Sequence, residues 1–347
     1  MAQGGRGAWS SASRTHALGV GSFGEQRLNI LGEGAAVHIR IFQKPPRLVL
    51  LNRALALCLL LALTATAALA GRQTSKPKTC INGATTLPYS LEDDIRSAGR
   101  AGFEQVEIWS AKLDAYLQNH TVEDLKKLLR EAGVTVASIC PYSLVTFGDV
   151  KPALDAVTRA AHIASKIGCP VLLVCPDAPP PDMPREEAFK KAGREARRYA
   201  EAAAKYGVKI AIEPLGMHPF VPGPKEALRI IREANHPALG LMIDTFHYYK
   251  SGVPLEDIRS IPTNRILIVH VNGCEDKPPA ELNDGHRLYP GEGVIPITDT
   301  FRILKQKGYK GALSVEVFRQ EYWKRPVDTI SREAKHALDA TMAKVWQ

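Results

Sequence analysis

Between residue 78 and the end of the chain, short apolar runs rich in β-branched residues alternate eight times with longer amphipathic segments. The runs that read as strands cover 79–82, 105–108, 134–139, 171–174, 209–213, 240–243, 266–271 and 312–317. Helical periodicity covers 91–101, 121–132, 151–167, 185–206, 225–234, 255–259, 298–307 and 327–345. Five of these helices run into a glycine, at Gly102, Gly133, Gly168, Gly207 and Gly308, where a left-handed residue stops the helix. Eight strand–helix units in 270 residues match a (β/α)8 TIM barrel of the α/β class in both count and length. A doubly wound open sheet is the weaker alternative. Its first strand should lead into a glycine-rich phosphate loop, whereas CINGATTLP holds a single glycine.

The chain carries 45 Lys and Arg against 36 Asp and Glu, a net charge of +9. The excess sits in the first 77 residues, which hold nine basic and two acidic side chains and leave the other 270 at +2. A nearly neutral body offers little footprint for nucleic acid. Residues 1–46 are rich in Gly, Arg, Ser and Ala without periodicity, and read as a disordered or mistranslated extension. Residues 47–71 are apolar instead. Residues 54–70 carry no charge, follow Arg47 and Arg53, and end in Ala68-Leu69-Ala70 before Gly71. That ending reads first as a secretory signal peptide and second as a membrane anchor. The expected location is exported, periplasmic or membrane-anchored if this segment is used, and cytoplasmic otherwise. Membrane contact would then run only through the uncleaved segment. No Met lies between Met1 and Met183, so a shorter start would need another codon near residues 49–51. Of six cysteines, Cys58 lies in the apolar segment, and no two form a Cys-x-x-Cys pair. The other five read as small buried hydrophobes rather than a disulfide framework. A homo-oligomer is left open.

In a barrel of this kind the active site is built at the carboxyl ends of the strands. Four consecutive strands of the second half end on a titratable side chain: Glu213 in IAIEP, Asp244 in LGLMIDTFH, His270 in ILIVHVNG and Glu316 in ALSVEVF. An unpaired charge beside an apolar run is costly, and a metal ion removes the cost by neutralising carboxylates that converge. Three carboxylates and one imidazole suit a single divalent ion, Zn, Mn or Co, and differ from a thiolate structural site. Taken singly, each of the four also fits a structural hydrogen-bonding role. Glu107, in QVEIW, reads as structural because its strand belongs to the other half of the barrel. Trp109, Tyr142, Phe246, Phe318 and Trp323 read as core or rim aromatics. His218 and His286 fall in polar loops and read as exposed.

The body resembles the xylose isomerase-like TIM-barrel superfamily of sugar isomerases and epimerases, and within it the inosose (2-keto-myo-inositol) isomerase group. The motifs that carry the resemblance are CINGATTLP, GFEQVEIW, YLQNHTVEDL, YGVKIAIEP, LGLMIDTFHYY, IVHVNGCED, DGHRLYPGEGVI and SVEVFRQEYWK, spread over residues 78–347. The resemblance implies that Glu213, Asp244, His270 and Glu316 are metal ligands and that Glu213 and Glu316 are also the paired acid and base. It implies that His247 faces the substrate and that Arg287 lies near substrate oxygens. One departure stands out: the group commonly reads Asn-Glu-Ala-Thr-Thr at the first strand, and this chain has Asn82-Gly83-Ala84-Thr85-Thr86.

The implied reaction is a proton shift in a polyol ketone or ketose through an enediolate. Such a weak carbon acid needs an electrophile on its oxygens and a base beside its carbon, roles that fit a divalent ion and two glutamates. The expected partner is therefore a small polyol or sugar, with no nucleic acid. An endonuclease IV-like repair enzyme fits poorly, because the early strands end on Asn82, Trp109 and Cys140, none of them histidine. A ketose 3-epimerase, a hydroxypyruvate isomerase, a dehydroshikimate dehydratase and a non-catalytic sugar-binding barrel remain as alternatives within the fold.

Overall fold

A computed structural model describes residues 76–346. The expectations for residues 1–46 and 47–71, and the signal-peptide and anchor readings with them, lie outside the described residues. Among the described residues no helix is long and apolar enough to cross a membrane.

Eight parallel strands close into a barrel: β1 (Lys78–Asn82), β2 (Gln105–Trp109), β3 (Thr135–Leu144), β4 (Val171–Pro176), β5 (Lys209–Ile212), β6 (Leu239–Asp244), β7 (Ile266–Val271) and β10 (Ala312–Val315). Each pairs with its sequence neighbour in the barrel, and β1 closes the ring against β10 with Cys80 opposite Ser314. The TIM-barrel expectation is met. A two-stranded antiparallel hairpin, β8 (Gly273–Cys274) with β9 (Arg287–Leu288), follows β7 at the barrel mouth.

Local signals start and stop the outer helices. Ser90 and Asp93 form a capping box on α1 (Leu91–Ala101), and Thr121 and Asp124 form one on α3 (Val122–Ala132), each cap worth about 1 kcal/mol. The five glycines expected to end helices all have positive φ, from 67° to 83°. Sequence periodicity missed three short helices: α2 (Ser110–Tyr116), α7 (Thr245–Lys250) and α10 (Gln320–Trp323). At four to seven residues they span too few turns to show a stripe.

Alternation along the strands sets the interior. Successive side chains point to opposite faces, so every second residue faces the barrel axis. One buried cluster lines that axis and includes Cys80, Ala211, Met242, Ile268 and Ala312. Two residues further along each strand come Asn82, Glu213, Asp244, His270 and Ser314, followed by Glu316. The same periodicity that fills the barrel floor with apolar atoms therefore stacks polar groups above it, at the end where TIM barrels do chemistry.

The loop after β1 is fixed by a buried ion pair. Lys112 Nζ, on α2, donates to Gly83 O at 2.9 Å, Thr86 O at 2.9 Å and Asp94 Oδ2 at 2.6 Å. Burial pushes the Asp94 carboxyl up to about 7, against the pull of the Lys112 ammonium. An aspartate in the unfolded chain loses its proton near pH 4, so between roughly pH 4 and 7 the folded state holds the extra proton. The contribution of Asp94 to stability therefore falls as pH rises through that window. Asp94→Asn is expected to flatten the pH dependence of the urea midpoint between pH 4 and 7. An unchanged slope would show that the fall has another source.

Candidate metal centre

Glu213, Asp244, His270 and Glu316 each offer one ligand atom, and these four atoms lie within 4.8 Å of one another. All four side chains are buried. The strand ends thus bring together the quartet picked out in the sequence. His270 Nδ1 sits at its centre, 3.0 Å from Glu316 Oε2, 3.6 Å from Asp244 Oδ2 and 3.7 Å from Glu213 Oε1.

The tautomer of His270 decides what this centre can hold. Its Nε2 lies 2.8 Å from Glu107 Oε2. Glu107 also accepts hydrogen bonds from Ser138 Oγ and, at 2.7 Å, from Ser314 Oγ. Burial works against its ionisation, but His270 and the two hydroxyls outweigh burial and hold the carboxyl below its ordinary value. As a carboxylate Glu107 can only accept, so Nε2 carries a proton, and in the neutral ring the lone pair lies on Nδ1. Nδ1 has no hydrogen-bond partner although it is buried. A lone pair aimed at three carboxylates is repulsive unless positive charge lies among them. Burial opposes protonation of His270, yet Glu107 and Glu316 outweigh it and raise its affinity for a proton well above the ordinary value. The site's own field thus favours positive charge at this point, whether a proton on the ring or a bound cation, and the donor set fits a divalent ion. Glu107 and His270 form the carboxylate–histidine pair by which the histidines of metal sites are aimed.

Each acidic residue divides its oxygens between scaffold and site. Asp244 Oδ1 caps α7 by accepting from Phe246 N at 2.7 Å and His247 N at 3.1 Å, which leaves Oδ2 for the centre. Glu316 Oε1 accepts from Asn82 Nδ2 at 3.1 Å while Oε2 faces His270. Glu213 Oε2 accepts from the Cys175 thiol at 3.4 Å, and Oε1 faces the cluster. Burial raises Glu213 to about 8, with Glu316 and Asp244 adding to the rise and His270 opposing it. Burial also opposes ionisation of Asp244, but Arg287 and the two histidines hold its carboxyl well below the usual range.

Arg287 is only 1% exposed, so it is not a solvated loop residue. The β8–β9 hairpin carries it back over the barrel mouth. Gly273 and Gly293 permit that fold, because a Cβ at either would collide with the backbone of Glu292 or Cys274. All five guanidinium N–H groups are engaged within the protein. Nη1 donates to Asp244 Oδ2 at 2.7 Å and Glu316 Oε2 at 3.0 Å; Nη2 contacts His247 Nε2 at 3.1 Å and Asp284 Oδ1 at 2.7 Å; Nε donates to Asp284 Oδ1 at 3.0 Å. Arginine cannot accept, so His247 receives on Nε2 and carries its proton on Nδ1, which is buried without a partner. Burial lowers the His247 pKa to about 4, so the ring is neutral at pH 7.

A cavity of about 350 Å³ opens above the quartet, lined by Glu213, Glu316, His247 and Arg287 with Trp109, Phe246 and Phe318. Three of the five aromatics noted in the sequence therefore line it. Lys250, Cys140, Cys175 and Asp284 also line it, and no sequence signal marked them. His218 is half-buried, and its Nδ1 accepts from the Phe220 and Val221 amides at 3.1 and 2.9 Å. His286 is half-buried as well, so neither is the exposed loop histidine expected. The five described cysteines are free thiols, four of them buried.

A closed eight-strand barrel with an acidic–histidine quartet at its carboxyl-terminal mouth defines a class of TIM barrels with a candidate metal centre. The xylose isomerase-like TIM barrel profile matches residues 95–341, and the chain belongs to that family. The inosose isomerase of Halalkalibacterium halodurans is 29% identical over 276 residues, covering 77% of this chain and 97% of that one. The 3-dehydroshikimate dehydratase of Pseudomonas putida is 25% identical over 249 residues, covering 70% of this chain and 38% of its own. Among solved structures, the IolI protein with a bound zinc atom superposes with a TM-score of 0.71 at 28% identity, covering 77% of this chain and 98% of that one.

Proposed function

We propose that the chain is a divalent-metal-dependent isomerase or epimerase of a polyol ketone or ketose, of the inosose type. The observation that carries this reading is the buried Nδ1 of His270, without a hydrogen-bond partner and held among three buried carboxylates. The inosose isomerase relative supports an isomerase or epimerase, and the zinc atom bound in the IolI structure supports a divalent metal.

Glu213, Asp244, His270 and Glu316 would hold the ion, which when bound supplies a Lewis acid for the substrate's oxygens. The remaining work falls to side chains. Glu213 and Glu316 come from opposite sides of the quartet, so they can flank a ketone in the cavity. One removes the proton from the carbon bearing the hydroxyl, and the other returns a proton to the neighbouring carbon or to the opposite face. His247, a neutral ring in the cavity wall, would meet the substrate there. Arg287 pins Asp244 and Glu316, and its fork fixes the angle between them as a lysine could not. Phe246, Phe318 and Trp109 restrict water at the reacting carbon.

The test is solvent deuterium incorporation into 2-keto-myo-inositol and a panel of ketoses, with and without a chelator. Exchange that the chelator abolishes and added metal restores is the expected result. Absence of metal-dependent exchange with every member of the panel would remove the reading.

A further inference from the structure

A second groove, of about 550 Å³, opens beside the central cavity. The loop after β1 and helix α2, which follow neighbouring strands of the barrel, form its walls. Trp109, at the end of β2, lines both spaces. On the cavity side its ring meets Phe318 edge to face, with centroids 5.7 Å apart. On the groove side it stands with Leu87, Tyr89 and Tyr116. Gly83 permits this placement, because a Cβ there would sit 3.0 Å from Trp109 Cβ and 3.1 Å from Asp94 Oδ2. Tyr116 is stiffened by stacking on His120, with centroids 4.2 Å apart.

The groove's polar groups divide into spent and rim groups. The Tyr89 hydroxyl donates to Arg325 O at 2.6 Å, and the Lys112 ammonium serves three protein oxygens. Glu92 and Asn119 stand at the edge beside the aromatic wall. Aromatic faces with a few carboxylate and amide groups around them suit a sugar ring, whose C–H face lies on the wall while its hydroxyls meet the rim. A bare aryl group would use the wall alone.

We propose that this groove receives a second sugar ring, so that the substrate is a glycosylated ketose or polyol ketone. Its reacting end reaches the quartet, its linkage passes Trp109, and its glycosyl ring lies against Tyr116 and Leu87. This inference rests on the isomerase reading of the central cavity, and the test separates the two.

The probes are D-fructose and maltulose, a fructose carrying a glucosyl ring, with the full chain loaded with Zn or Mn. Ala115 is exposed on α2 and lines the groove but not the central cavity, so Ala115→Trp fills the groove from the surface without disturbing the core. Deuterium exchange should show a higher kcat/KM for maltulose than for fructose, and Ala115→Trp should lower that ratio roughly tenfold or more. An unchanged ratio overturns the proposal. If neither sugar exchanges, the isomerase reading is decided by the wider panel that includes 2-keto-myo-inositol, and calorimetric binding decides the groove. Maltulose affinity should then fall roughly tenfold in the variant against an unchanged fructose affinity, and equal losses overturn it. A dimer that Ala115→Trp dissociates, seen by sedimentation, would show the groove covered by a second copy and also overturn it.

Discussion

Glu316→Gln is expected to lower turnover roughly 10²–10⁴-fold, the range that a positioned acid or base contributes, while the barrel stays folded. The side chain has two jobs on its two oxygens: Oε2 faces His270 Nδ1 at 3.0 Å and Oε1 accepts from Asn82 at 3.1 Å. Glutamine keeps the shape, but its amide nitrogen neither accepts a proton nor ligates a cation. One of the two bonds, to Asn82 or to Arg287, then sets a donor against a donor. That costs about 1–3 kcal/mol, which a barrel of this size registers as a loss of several degrees in Tm rather than unfolding. Rates of deuterium exchange and a melting curve on the same sample check both halves. Undiminished exchange would take Glu316 out of the chemistry.

Glu107→Gln is expected to weaken metal binding by about 10–100-fold, the usual loss when the group that aims a ligating histidine is changed. The glutamine can offer an N–H to His270 Nε2, which favours the other tautomer and puts a proton where the ion should sit. Glu107→Ala goes further, since it leaves His270, Ser138 and Ser314 without their shared acceptor. Breaking a buried ionic cluster from one side costs about 3–5 kcal/mol. Competition with a chromogenic chelator measures the first effect and urea unfolding the second. Wild-type metal affinity in Glu107→Gln would mean that the ring is aimed by packing alone.

The barrel was legible because a period of two and a period of three to four repeat eight times, and each repeat ends on a glycine or a polar residue. The quartet was legible for the same reason: a charged residue closing an apolar strand is locally anomalous, and four in succession have one economical explanation. Glu107 showed the same local anomaly but was read as structural. Strand order places β2 two positions from β10 around the closed ring, and nothing in QVEIW says that its carboxylate crosses the axis to β7. Arg287 was placed near the site by resemblance. Its burial was not legible, because DGHRLYPGEG looks like a solvated loop until the β8–β9 hairpin folds it inward. The second groove left no signal at all, since Leu87, Trp109 and Tyr116 come from separate segments that meet only when the barrel closes.

The closure has a consequence for how the two halves of the chain share the work. Every candidate ligand atom belongs to β5, β6, β7, β10 or the residue that follows, whereas Asn82 and Glu107, which hold and aim two of those side chains, belong to β1 and β2. One half-barrel supplies the ligands and the other sets their bearing. A shift of one half against the other that leaves both hydrophobic layers intact would still turn the imidazole and the Glu316 carboxylate out of line. On the proposed metal-binding reading, a variant distorted at the β1–β10 seam should lose metal before it loses stability.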